Sequence, residues 1–391
     1  MEWLTRQLEL LAEQGLKRER RALSPLADGW VEWQGRRYRN FASNDYLNLA
    51  SHPRVLAATN EPLKSTVGSR ASALVSGRTI WHEQLEETIA TFEGSEAALL
   101  FPTGYAANVG TIAALVDSND VVFCDRWNHA SLIDGCRLSG AKLRVYRHDD
   151  LDGLQRELCK CSTSSRKWII TDSVFSMDGD IAPLAKLCDL AAEFEADLIV
   201  DEAHGTGVFG ATGRGVAELT GTEHRIAVRI GTLSKSLGTL GGFVAGSRSL
   251  IDWLWNRARS QVFSTALPPA ICAAASAAIE ILQAEPERCR YLLELCDFFR
   301  SELQSHGVQP MLGSIGPIVP IVIGDSIATL TIAQHIEGSG YLVGAIRPPT
   351  VPNGTSRLRI SVTSAFNPAD LSNLAVTIAD AISSSNNNAS S

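Results

Sequence analysis

The chain has 391 residues, 45% of them hydrophobic and 20% charged, which is enough apolar material for a large core in two or three domains and excludes a disordered protein. Its formal net charge of −8 argues against a general nucleic-acid binder, which carries a basic surplus large enough to release many counterions.

The N-terminal stretch MEWLTRQLELLAEQGLKRER sets leucines at i, i+3 and i+4 among charges, so it predicts an amphipathic helix. It lacks the uninterrupted apolar core of an export signal. The basic run KRERR at 17–21, at helical spacing, makes either a solvated face or a site for an anionic group. Next, WVEWQGRRYRNF is expected to pack with that helix on a domain formed by the C-terminal part of the chain.

Seven β-rich runs recur between helical patterns: AALLF, VVFCD, LRVYRH, KWIITDSV, DLIVDEAH, IAVRIGTL and GGFVAG. Most are continuous apolar runs and do not alternate, the mark of strands covered on both faces by helices. A mainly parallel seven-stranded sheet in an α/β domain is therefore expected. ALPPAICAAASAAIEILQA holds two prolines and is cut by Glu280, which makes it a packed helix and not a membrane span. After the helical EPERCRYLLELCDFFRSELQSHG come IVPIVIG, YLVGAIRPP and SRLRISVT with another helix among them, the pattern of a smaller α+β domain.

The expected divisions are an N-terminal segment 1–45, a large domain 46–284, a small domain 285–382 and a disordered polar tail, SSSNNNASS, at 383–391. Eight cysteines with one C-x-C pair and no C-x-x-C fit reduced thiols in a cytoplasmic protein, and no metal site is expected.

Two phosphate-binding motifs nearly match. A Walker A loop needs glycine directly before its lysine, whereas Ser234 precedes Lys235 in GTLSKSLGTLGG. GTGVFG at 205–210 satisfies G-x-G-x-x-G but is separated from its strand by Asp-Glu-Ala-His, and ATGRG follows where a helix should open.

A different chemistry suits the strand ends. DLIVDEAH ends in Asp201 and His204, and Lys235 follows one strand later, so successive strand ends can deliver an acid, a histidine and an amine to one crevice. In isolation Lys235 reads as a solvated loop lysine and Asp201 as a cap. Together they suit a pyridoxal phosphate (PLP) enzyme, in which the amine forms a Schiff base with the aldehyde and a carboxylate keeps the pyridine nitrogen protonated. His204 is placed to bond the phenolic oxygen. In FPTGYAANVG a strand ends and Thr103, Gly104 and Tyr105 open a helix whose N–H groups favour an anion. Thr232 and Ser234 can add donors to that phosphate, and His129 in DRWNHASLIDG, at a helix start, is the flat partner for the ring.

With these residues assembled, the chain resembles the PLP-dependent α-oxoamine synthases of the type I aminotransferase fold. SNDYLNL, TGYAAN, HASLIDG, FSMDGDIAPL, VDEAHGTGVFG and TLSKSLGTLGG occur in that family's order and spacing. The resemblance implies that Lys235 carries the cofactor, Asp201 pairs with its ring nitrogen, His204 binds its phenolic oxygen and His129 stacks on the ring. It also assigns Gly104, Tyr105 and Thr232 to the phosphate and Ser176 to the cofactor. An arginine of RLR, taken as Arg359, grips the amino-acid carboxylate with help from Asn44. Arg18 and Thr350 match positions that touch the acyl substrate.

AIRPPTVPNGTSRLRIS is similar to the branch of the family that condenses L-alanine with a pimeloyl thioester, on CoA or on acyl carrier protein, in biotin biosynthesis. The alternatives are a branch that joins glycine to acetyl-CoA and a non-catalytic partner subunit. The family's members are homodimers, which would bring Ser264 or Thr265 to the partner's phosphate; no nucleic-acid or membrane partner is implied. The glycine-rich loop departs from the family pattern, with Arg70 and Ala71 where glycines are usual and Ala73 where a larger polar residue is usual.

Overall fold

The structure, a computed structural model, describes residues 1–162 and 165–389. Two compact units form: Met1–Asn48, Met177–Asp180 and Arg290–Ser391 make one, and Leu49–Ser176 with Ile181–Cys289 make the other. In chain order the strands are β1 (Ser24–Pro25), β2 (Trp30–Trp33), β3 (Arg36–Phe41), β4 (Ala97–Phe101), β5 (Val121–Asp125), β6 (Lys142–Tyr146) and β7 (Lys167–Asp172). They continue with β8 (Ala196–Asp201), β9 (Val228–Thr232), β10 (Gly242–Gly246), β11 (Ile318–Gly324), β12 (Tyr341–Ile346) and β13 (Ser356–Ser361).

The second unit is built on a seven-stranded sheet of order β4-β10-β9-β8-β7-β5-β6. Strands β6, β5, β7, β8 and β9 pair in parallel, and β10 is antiparallel to both β9 and β4, so it alone runs against the rest. Every residue of β4, β5, β7 and β9 is buried, as their unbroken apolar runs require, whereas edge strand β6 is half exposed. One core cluster joins Leu99, Ile170, Ile199 and Val244 of the strands to Ile112 and Leu132 of the helices. This rigid sheet ends four of its neighbouring strands in polar residues, Asp125, Asp172, Asp201 and Thr232, at the edge where open α/β sheets bind ligands.

The first unit holds a six-stranded sheet of order β1-β2-β3-β12-β13-β11. A two-residue turn at Gln34 and Gly35, with φ of 52° and 75°, closes the β2–β3 hairpin, the conformation that matches strand twist. Strand β13 is buried along its length between β12 and β11.

Two expectations change. The N-terminal helix covers only Glu2–Glu13 and buries none of its residues. Gly15, at φ 65°, turns the chain, and the N–H groups of Leu16 and Lys17 fold back onto the Leu11 carbonyl. The basic run 17–21 therefore leaves the helix and is not held at helical spacing. At the other end the helix Pro368–Ala389 carries the polar run 383–389 along with it, because extending a formed helix costs far less than nucleating one. Residues 390–391 of the expected disordered tail lie outside the described residues. Among the described residues no helix is long and apolar enough to cross a membrane.

Candidate active site

Strands β7 and β8 place Asp172 and Asp201 directly opposite each other, two buried carboxylates on adjacent strand ends. Asp201 Oδ1 accepts the Ala203 N–H at 2.8 Å, and Oδ2 accepts Asn108 Nδ2 at 2.6 Å. These bonds fix the direction in which the carboxylate faces. The neighbour Asp172 Oδ2 accepts the backbone N–H of His129 at 2.6 Å, while its own N–H donates to Asn128 Oδ1 at 3.1 Å. Burial pushes the Asp172 carboxyl well above the usual carboxylate range, and the Asp201 charge raises it further.

His129 caps the helix Ala130–Ser139 with its own ring, whose Nδ1 accepts the Ser131 N–H at 3.3 Å and lies 2.7 Å from Ser131 Oγ. The residue is open to water, yet the protein around its ring lowers the pKa, with Lys235 adding to that effect and Asp201 opposing it. One histidine thus feels both the candidate amine and the candidate acid. Lys235, half-buried, stands three residues beyond the end of β9. His204 is buried three residues beyond Asp201, and Ser176 is half-buried in the turn after β7.

At the other side of the crevice the helix Gly104–Leu115 begins, with Thr103 Oγ1 accepting the Ala106 N–H at 3.0 Å as its cap. A Cβ on Gly104 would sit 3.1 Å from Thr232 Oγ1 and 3.2 Å from Thr232 Cβ, so the helix start and the end of β9 are pressed together. Gly242 makes this possible, since a Cβ there would lie 2.5 Å from the Thr103 carbonyl oxygen. Thr232 Oγ1 meets Ser234 Oγ at 2.8 Å and donates to the Gly241 carbonyl at 2.9 Å. The free N–H groups of the helix start thus lie against the end of β9, an arrangement that can receive an anion. The Tyr105 hydroxyl donates to Asp134 while its ring stands edge-on to His129, 6.5 Å between centroids at 78°, which leaves its backbone at the helix start as the part that can face an anion.

The first unit assembles a separate set. Arg359, buried on β13, donates to Asn44 Oδ1 at 3.2 Å, Ser361 Oγ at 2.9 Å and the Tyr46 hydroxyl at 3.4 Å. Arg357, two residues earlier, forms a buried ion pair with Asp178 at 2.6 Å, with side chains only 5% and 9% exposed. Of the two arginines in RLR, Arg357 is therefore committed to holding the fold, and Arg359 is the candidate for a carboxylate. Arg18 donates to Thr350 Oγ1 at 3.2 Å, so the two residues assigned to the acyl substrate meet each other. Nearby, burial lowers the pKa of Arg347, whose guanidinium donates to the Gly15 carbonyl, and the Arg18 charge lowers it further.

A family model described as aminotransferase class I and II matches residues 36–378. The chain belongs to the class I and II aminotransferase family. Among curated relatives, this aminotransferase-family chain is 43% identical over 375 residues to 8-amino-7-oxononanoate synthase 2 of Bacillus subtilis, covering 95% of each chain. It is 45% identical over 372 residues to 8-amino-7-oxononanoate synthase of Anaeromyxobacter sp. strain K, covering 95% of this chain and 93% of the relative. A solved serine palmitoyltransferase from S. paucimobilis with bound PLP–myriocin aldimine matches with a TM-score of 0.92 at 28% identity, over 98% of this chain and 97% of the other. The fold is accordingly that of the type I aminotransferases.

Asp172, Asn108 and Ser131 escaped sequence reasoning. Asp172 had a usable signal, an acid at the end of a buried strand like Asp201, whereas Asn108 and Ser131 lie within TGYAAN and HASLIDG, motifs that marked the stretch without giving either residue a role.

Proposed function

We propose that this chain is a PLP-dependent acyltransferase that condenses L-alanine with a pimeloyl thioester, with loss of carbon dioxide, to give 8-amino-7-oxononanoate for biotin synthesis. The observation that carries the site is the hydrogen-bonded link from the buried Asp201 through Asn108 and Ser131 to His129, with Lys235 three residues beyond the neighbouring strand end. The names of relatives at 43% and 45% identity carry the choice of substrates.

The residues fit PLP. Gly104, the Tyr105 backbone, Thr232 and Ser234 form an anion cradle in which a Cβ on residue 104 would press on Thr232, and this is where the phosphate would be held. Asp201 is a buried acid that would face the ring nitrogen, His204 and Ser176 would take the cofactor contacts that the resemblance gives them, and His129 would supply a flat face. PLP would supply an aldehyde to bond Lys235 and a ring that accepts the electrons of a carbanion. With PLP bound, Lys235 Nζ would be the amine placed to take the α-proton of alanine. Arg359 and Asn44 hold the alanine carboxylate with a guanidinium already oriented by three hydrogen bonds. Arg18 and Thr350 bind the far end of the acyl chain, and the cationic pair Arg18 and Arg347 suits its carboxylate.

The working form is a homodimer in the cytoplasm. In support, Val67, Val75 and Phe263 leave 79%, 78% and 72% of their surface exposed, and a β-bridge joins Ser72 of that same loop to Thr265. All eight cysteines are free thiols.

A substrate panel tests this reading: alanine or glycine against pimeloyl-CoA, pimeloyl carrier protein and acetyl-CoA, with thiol release followed and the product weighed by mass spectrometry. Turnover of alanine with a pimeloyl thioester supports it. Preferred turnover of glycine with acetyl-CoA would reassign the substrates.

A further inference from the structure

An unbroken line of hydrogen bonds joins the buried acid to the ring-facing histidine. Asn108 Nδ2 lies 2.6 Å from Asp201 Oδ2 and 2.8 Å from Ser131 Oγ, and Ser131 Oγ lies 2.7 Å from His129 Nδ1. Asn108 and Ser131 are buried, at 2% and 0% exposure, so water does not compete for these bonds.

The donors can be counted along the line. Asn108 must turn its NH₂ toward Asp201, because its carbonyl oxygen against a carboxylate would be repelled. Both amide hydrogens are then spent, one on Asp201 and one on Ser131 Oγ, and Asn108 Oδ1 is left buried without a partner. Ser131 Oγ accepts from Asn108, which leaves its own hydrogen for His129 Nδ1. The Ser131 backbone N–H points at the same nitrogen. Two donors aimed at Nδ1 require it to be the bare, accepting nitrogen, so the ring proton sits on Nε2.

We propose that Asn108 and Ser131 are positioning residues that carry the orientation of Asp201 to His129 and lock its imidazole in the neutral Nε2–H tautomer. The burial effect on the ring works in the same direction, since a second proton would have to be placed on Nδ1 against both donors. Lys235 also opposes protonation, while Asp201 and Asp134 favour it. Asp172 holds the backbone of the same histidine and fixes where the ring stands. The consequence is a histidine that presents a permanent N–H donor toward the crevice and has no basic nitrogen facing it. His129 can then hydrogen-bond a substrate oxygen without competing with Lys235 for the α-proton. The use in turnover rests on the proposed PLP chemistry; the tautomer does not.

The test is ¹H–¹⁵N long-range correlation on full-length protein labelled with [¹⁵N]histidine, with and without PLP, assigned by His129→Asn. The wild-type ring should show a bare Nδ1 and a protonated Nε2 at neutral pH. Ser131→Ala should populate the Nδ1–H form, raise the pH at which the ring takes its second proton, and lower kcat with alanine roughly fivefold, the worth of one net hydrogen bond. An Nδ1–H tautomer in the wild type would overturn the proposal, and so would ring signals that do not change in Ser131→Ala. The wild-type spectrum decides the matter even if the variant fails to fold. Absence of a PLP band in reconstituted wild type would instead contradict the functional reading, so the two failures are distinct.

Discussion

Replacing Asp172 separates its two jobs, accepting a hydrogen bond and carrying a charge. Its Oδ2 is the acceptor for the His129 N–H at 2.6 Å, and its carboxyl lies beside Asp201 with a pKa raised by burial and by that neighbour. Asp172→Asn keeps an oxygen for the N–H and removes the charge that burial disfavours, so it should cost less than about 1 kcal/mol. Asp172→Ala leaves the His129 N–H without its acceptor, while the backbone N–H of residue 172 keeps its bond to Asn128 Oδ1, and should cost about 2–4 kcal/mol, being roughly 1–3 for the unsatisfied donor plus the small void. The pH dependence has a definite sign. A carboxyl whose folded pKa is raised binds its proton more tightly in the fold, so its stabilising contribution is present in acid and declines as pH rises. The wild type should therefore lose stability relative to Asp172→Asn on going to alkaline pH. Urea unfolding at several pH values measures both effects. A wild type that gains on Asp172→Asn with rising pH would refute the raised carboxyl of Asp172.

Arg359→Lys should raise the KM for alanine at least about tenfold with little effect on PLP binding, because a lysine cannot form the two-pronged grip; equal losses in both would contradict its role. Arg357→Ala, by contrast, strands Asp178 in the interior and should destabilise by about 3–5 kcal/mol, read from the unfolding midpoint. Burial raises the Glu93 carboxyl from 4.5 to about 7 against the pull of Arg229, so its contribution to stability falls as pH rises through that interval. Glu93→Gln should flatten the profile, and a wild-type-to-variant difference that stays constant between acid and neutral pH would count against this. Gly242→Ala drives a Cβ to 2.5 Å from the Thr103 carbonyl oxygen and 2.7 Å from Gly104 Cα. Backbone cannot step aside as a side chain can, so PLP affinity measured by absorbance titration should drop at least about tenfold, and unchanged affinity would remove the cradle from the account.

Most strands of the large sheet could be read from the sequence because burial on both faces leaves a continuous apolar signal, whereas edge strand β6, half exposed, gives only the mixed run LRVYRH. Lys235, Asp201 and His129 were legible for another reason: each lies at the end of a strand or the start of a helix, where polar residues break the apolar run. The roles of Asn108 and Asp172 were not, since they come from partners 93 and 43 positions away that only the packed sheet brings near, although Asp172 shares with Asp201 the signal of an acid at a strand end. The basic run 17–21 was misjudged because a single left-handed glycine, Gly15, outweighs the helical periodicity that precedes it. Arg70 shows the reverse. It stands where the resembled family has glycine, and its φ of 66° is the left-handed conformation that glycine adopts without cost, so the backbone has kept a shape its side chain disfavours.

The central claim is that the Lys235 amine bonds the PLP aldehyde. Full-length protein loaded with PLP, reduced with borohydride and digested for peptide mass mapping tests it most directly. A stable pyridoxyl group on Lys235, absent from Lys235→Ala, is the predicted result; a modification on another lysine, or none in freshly loaded protein, would contradict the account.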